Sequence, residues 1–128
     1  MLRARWIALA LALSVGCHHR APETRGSASH NVITQEEIDA AEATNVYDIV
    51  ARLHGNYLND RGSISLRSNT HSRAVVFLND QEYGIPETMR NIPPGRVAEI
   101  RYYPGTDAVA RFGAQYGGGV IQLISRNQ

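Results

Sequence analysis

The sequence predicts an α+β domain, and three observations carry that reading. A capped amphipathic helix opens the patterned part of the chain at Thr34. Short runs rich in β-branched residues follow it, separated by Gly, Pro, Asn and Asp. The last run, Val120-Ile121-Gln122-Leu123-Ile124, is entered through Gly117-Gly118-Gly119. Helical patterning first and strand patterning after it is the order of an α+β fold. The 128 residues suffice for one small domain, and an apolar fraction of 43% is that of a globular chain.

Residues 1–16 read as a secretory leader. Arg3 and Arg5 precede an apolar run from Trp6 to Val15, which is followed by Gly16-Cys17. The run is shorter than the roughly 20 residues that span a bilayer. Cys17 is the only cysteine, so an intramolecular disulfide is impossible. "LSVGC" resembles a bacterial lipobox, although the usual Leu three residues before the Cys is replaced by Ser14. Cys17 is therefore expected to carry lipid and to start the mature protein. The alternative is a secreted chain with an incidental Cys. His18 follows the cysteine in place of the retaining Asp, so the resemblance implies the outer membrane, with acyl chains as the membrane contact.

Residues 17–31, the Cys and "HHRAPETRGSASHN", read as a flexible tether without apolar period. His18, His19 and His30 raise a metal site, but no frame is expected to converge them, and no metal or other cofactor is assigned. The domain is placed at residues 32–128. Thr34 and Glu37 form a capping box, and Ile33 and Ile38 flank it as a hydrophobic staple. Ile38, Val46, Ile49, Val50 and Leu53 give one helical stripe, with Asp39, Glu42 and Asp48 largely opposite and Gly55 in the left-handed stop position.

Beyond the helix, Ile64 and Leu66 alternate with Ser63, Ser65 and Arg67 as a half-exposed strand. Val75–Leu78 form a strand that turns at Asn79-Asp80, with Gln81 to Ile85 as a returning arm. "PETMRNIPPG" is a loop or single helical turn. "RVAEIRYYPG" is a strand with Val97, Ile100 and Tyr102 as its bulky residues. Thr106 to Phe112 is a short helix, capped by Thr106 and ended by Gly113. The helix stripe needs an apolar sheet face, expected from Val75, Phe77, Val97, Val120 and Leu123.

The glycines of "RFGAQYGGGVIQLIS" invite a phosphate-cradling reading. A P-loop requires a Lys-Ser/Thr pair and a following helix; this chain has no Lys, and a strand-forming run follows. A turn into the sheet is the better reading.

The order of these elements resembles the plug domain of TonB-dependent outer-membrane receptors. The resemblance rests on Ile49 to Gly55 at the end of the helix, and on "ISLRS" with Arg67 for an Ile-x-Ile-Arg-Gly strand. It rests further on "VVFLND" with Asn79-Asp80 for Asp-Gly, "PPGRVAEIRYYPG", Phe112-Gly113 and "GGVIQLI". It covers residues 33–126 and implies a small mixed β-sheet with packed helices. In the receptors the plug fills a membrane barrel; this chain carries none of the alternating ten-residue segments a barrel needs, and its linker shows no TonB-contacting box.

A lipid-anchored binding module is therefore expected, accessory to outer-membrane transport, with another envelope protein as partner and a separately encoded β-barrel as the first candidate. A small-ligand or glycan binder is the alternative. Catalysis is not expected: there is no Gly-x-Ser-x-Gly elbow and no His-x-x-x-His or Cys-x-x-Cys spacing, leaving only His54, His71, Asp48, Asp60 and scattered serines. Net charge is +1, and slightly acidic without Arg3 and Arg5, which argues against nucleic acid as a partner. Contact residues are expected in two groups. Arg61, Arg67 and Arg73 would form a positive surface for anions. Tyr102, Tyr103 and Tyr116 would be exposed aromatics for protein or glycan.

Overall fold

A computed structural model describes residues 29–60 and 72–126. The leader, Cys17, Arg61, Arg67, His71 and the strand expected around Ile64–Leu66 lie outside the described residues. Among the described residues, five strands form one mixed sheet: β1 (Val32–Ile33), β2 (Val75–Leu78), β3 (Gln81–Gly84), β4 (Val97–Tyr103) and β5 (Val120–Ser125), in the order β1-β4-β5-β2-β3. β5 runs antiparallel to β4 and parallel to β2, while β1 and β3 are antiparallel edges. Three α-helices pack on the sheet: α1 (Gln35–Ala40), α2 (Val46–His54) and α3 (Gly105–Phe112). The α+β, plug-like architecture expected from sequence is present.

The start signal of the first helix is local and is realised. Thr34 N–H donates to Glu37 Oε2 at 2.8 Å, and Glu37 N–H returns to Thr34 Oγ1 at 3.4 Å. The single helix expected up to Leu53 is instead two. The chain leaves α1 at Ala41, passes through Glu42 in the left-handed region (φ 45°), and restarts under Asn45. Asn45 caps α2 by accepting from Asp48 N–H at 3.0 Å. Arg52 spans the break, donating to the Ala41 carbonyl at 2.9 Å. Ile38, Val46, Ile49 and Val50 remain buried across the break, but Leu53 is 42% exposed and leaves the stripe. Gly55 is right-handed (φ −54°, ψ −23°) and opens a 3-10 turn through Leu58, so it is not a left-handed stop. A 3-10 turn at Ser29–Asn31 precedes β1.

β5 is central and buried on both faces, as a strand with a parallel partner tends to be. Its alternation sorts two cores. Ile121 and Leu123 join Val76, Val97, Ile100 and Tyr102 under α1 and α2. Val120 joins Val75, Phe77, Ala108 and Tyr116 under α3. The face expected to receive the first helices is therefore corrected. Val97 and Leu123 do meet them, whereas Val75, Phe77 and Val120 point the other way.

The glycines serve the turn into β5. Gly113 ends α3 (φ +119°) and Gly119 enters β5 (φ +104°), conformations that side chains disfavour. Thr106 is not the cap of α3: the helix starts at Gly105 behind Pro104, with no side-chain cap bond. A Cβ on Gly105 would lie 2.2 Å from the Gly117 carbonyl oxygen, so α3 and the glycine turn touch backbone to backbone. Gly105→Ala should cost about 1–3 kcal/mol in chemical denaturation, the usual range for overpacking. Gly55→Ala, where a Cβ meets nothing within 4 Å, should be neutral or slightly stabilising. A destabilised Gly55→Ala would restore the left-handed stop.

Candidate functional site

Tyr102 and Tyr103 are consecutive in β4 and so face opposite sides of the sheet. Tyr102 is only 4% exposed. It stacks on Tyr57 with ring centroids 4.2 Å apart, and Tyr57 stacks in turn on His54 at 4.7 Å. The Tyr57 hydroxyl donates to the His30 carbonyl, tying the segment before β1 to the core. Burial pushes the His54 imidazole below its ordinary value, against the opposing pull of Glu37.

Burial likewise pushes the Tyr57 phenol up to about 12, from an ordinary 10.0. The raised value favours the neutral form in the folded chain. Its contribution is complete below the unfolded value and is lost as pH climbs from 10.0 toward about 12. The full loss is about 2–3 kcal/mol. Tyr57→Phe should flatten that part of the alkaline stability curve, measured as denaturant midpoints against pH. An unchanged alkaline slope would mean that another phenol carries it.

On the opposite face, Tyr103 meets Phe112 edge-on at 5.2 Å, and Phe77 lies 4.8 Å from Phe112 and 5.3 Å from Tyr116. Arg111 sits over the Tyr103 ring at 5.2 Å. The Tyr116 hydroxyl donates to Glu82 Oε2 at 2.6 Å, and the Tyr103 hydroxyl to Gln122 Oε1 at 3.1 Å. Gln122 is buried; its amide donates to the Asn79 carbonyl at 2.7 Å, binding β5 to the β2–β3 turn. The exposure expected of the tyrosines is thus absent: Tyr102 and Tyr116 are core residues and Tyr103 is half-buried. A two-letter "YY" in a strand covered on both faces carries no sign of this.

Arg73, the described member of the expected positive group, pairs with Glu87 Oε1 at 2.7 Å. The hydrogen bond from Arg73 is the main cause holding the Glu87 carboxyl below its usual range. The guanidinium is charge-matched and half-exposed, which limits both its pull on an outside anion and its worth to stability. His54 is engaged with Tyr57, while Asp48 bonds to Asn45 and lies 3.6 Å from Arg90. Neither bonds a serine hydroxyl among the described residues, and no group of three or more metal-ligating side chains converges there.

A cavity of about 270 Å³ lies at the carboxyl ends of β2 and β5. Leu78, Tyr83, Asn91, Ile92, Arg96, Val97, Ser125 and Arg126 line it. Antiparallel pairing of β4 with β5 sets Val97 opposite Ser125, which brings Arg96 and Arg126 to one place. Arg126 N–H donates to the Arg96 carbonyl at 2.8 Å, and Arg126 Nη2 to Asp39 Oδ1 at 3.0 Å. Neither arginine stood out in the sequence. The only signal was position, one residue before β4 and one after β5.

The described residues thus form a five-stranded mixed sheet with helices on both faces, and no group of three or more metal-ligating side chains converges among them. The profile of the TonB-dependent Receptor Plug Domain family matches residues 22–120, and the chain belongs to that family. The match ends where β5 begins. No curated protein and no solved structure matches the chain. Membership points to the cell envelope, where receptors with such plugs reside.

Proposed function

We propose that this plug domain is a non-catalytic binding module of the outer membrane, held there by lipid on Cys17 and accessory to transport. Its partner is another envelope protein, with a separately encoded β-barrel as the first candidate. The observation that carries the reading is the family match on a domain whose two cores are filled by its own helices and strands. Such a domain presents a preformed surface to a partner. Crosslinking of the tagged full chain in intact membranes, followed by purification, should recover an outer-membrane barrel; recovery of the chain alone would remove the partner.

The anchor is tested separately. Cys17→Ala should leave the protein soluble or as uncleaved precursor in cell fractionation. A processed variant that stays with the membranes as the parent does would overturn lipidation. Binding of a small ligand is a second reading, favoured by the arginine-lined cavity.

A further inference from the structure

We propose that the cavity at the carboxyl ends of β2 and β5 binds a small monocarboxylate with a short apolar body. The inference deepens the ligand-binding reading and does not depend on the lipid anchor. Charge is the first argument. Arg96 is exposed, and its side chain makes no hydrogen bond, ion pair or ring contact among the described residues. Every other described arginine has such a partner: a carbonyl for Arg52, rings for Arg111, carboxylates for the rest.

Arg126 adds a second guanidinium. Asp39 takes its Nη2, but its Nε is buried without an acceptor. An anion nearby would offset that unsatisfied donor through charge alone. None of the described lining residues is a carboxylate; Asp39 engages Arg126 from outside the lining, and Arg96 keeps its charge unpaired. Asn91 and Tyr83 also line the cavity, and both residue types can donate neutral hydrogen bonds.

Shape and polarity set the rest of the ligand. Leu78 and Ile92 give the cavity an apolar side, which has no use for a fully hydrated inorganic anion. A volume of about 270 Å³ falls just below the usual range for drug-sized ligands, about 300–1,000 Å³. An acid with one carboxylate and a ring or branched chain suits both features.

Benzoate is the probe, with benzamide as its neutral counterpart and inorganic phosphate as the plain anion. The isotope-labelled full chain in detergent micelles is titrated by NMR, following backbone amides and arginine Nε–H signals. Benzoate should shift signals of Arg96, Arg126, Ser125 and Leu78, and bind at least tenfold more tightly than benzamide. Arg96→Gln should weaken benzoate about tenfold or more, the range for one charge-assisted hydrogen bond, and leave benzamide unchanged. Arg96→Lys, which keeps the charge, should recover part of the loss. The proposal is overturned if benzamide binds as tightly as benzoate, if phosphate shifts the same signals with equal affinity, if the shifts map elsewhere, or if Arg96→Gln changes nothing. None of these outcomes bears on crosslinking to a membrane partner, so the two readings fail separately.

Discussion

A chain truncated after Gly118 should lose its cooperative unfolding transition. β5 is the strand that joins the sheet: without it the order β1-β4-β5-β2-β3 splits into the pair β1-β4 and the hairpin β2-β3. A two-stranded piece is marginal alone in water. Val120, Ile121 and Leu123 are fully buried, and each apolar side chain of this kind is worth about 1.5–3 kcal/mol. Both cores lose a wall at once, because Ile121 and Leu123 face α1 and α2 while Val120 faces α3. Total stabilities of about 5–15 kcal/mol leave no room for that loss. Heat denaturation followed by near-ultraviolet circular dichroism is the measurement. A truncated form that melts with the parent's midpoint would show that the sheet closes elsewhere.

The second large effect is expected at Tyr102. Tyr102→Ala should cost about 3–5 kcal/mol, the range for emptying a buried aromatic site. The ring fills the core under α2 and supports the stack of Tyr57 and His54. Its loss leaves Tyr57 without a stacking partner on one face and should loosen the attachment at His30. Leu53→Ala is the contrast, since Leu53 belongs to the expected helical stripe yet is 42% exposed. It should cost less than about 1 kcal/mol, as most surface changes do. Equal costs at the two positions, read from urea midpoints, would mean that Leu53 is in the core.

Much of the fold was legible because its signals are local. Thr34 and Glu37 act three residues apart, and Asn79-Asp80 makes its turn within β2–β3, with Asn79 at φ 55°. The break between α1 and α2 was also written locally, in Asn45 capping Asp48. It stayed hidden because the stripe from Ile38 to Val50 is buried with or without it. β1 is two residues long and exists only as a partner of β4, so no period reveals it. The two faces of β2 and β5 could not be told apart for a related reason. A strand apolar on both sides has no alternation to fix its phase.

The candidate site was less legible than the fold, since it is assembled across long sequence distances. The expected contact tyrosines were taken up by the cores, and Arg73 by Glu87. Arg96 and Arg126 are 30 positions apart, and only the pairing of Val97 with Ser125 brings them together. Composition records 13 arginines without saying which of the described ones lacks a partner.

The proposed binding role requires that the plug domain fold on its own cores, without an enclosing barrel. Differential scanning calorimetry of residues 29–128, without leader, linker or partner, tests it most directly. A single transition is expected, with calorimetric and van't Hoff enthalpies that agree, the mark of a two-state domain. A scan with no cooperative transition would contradict it, because the cores would then need a partner to close.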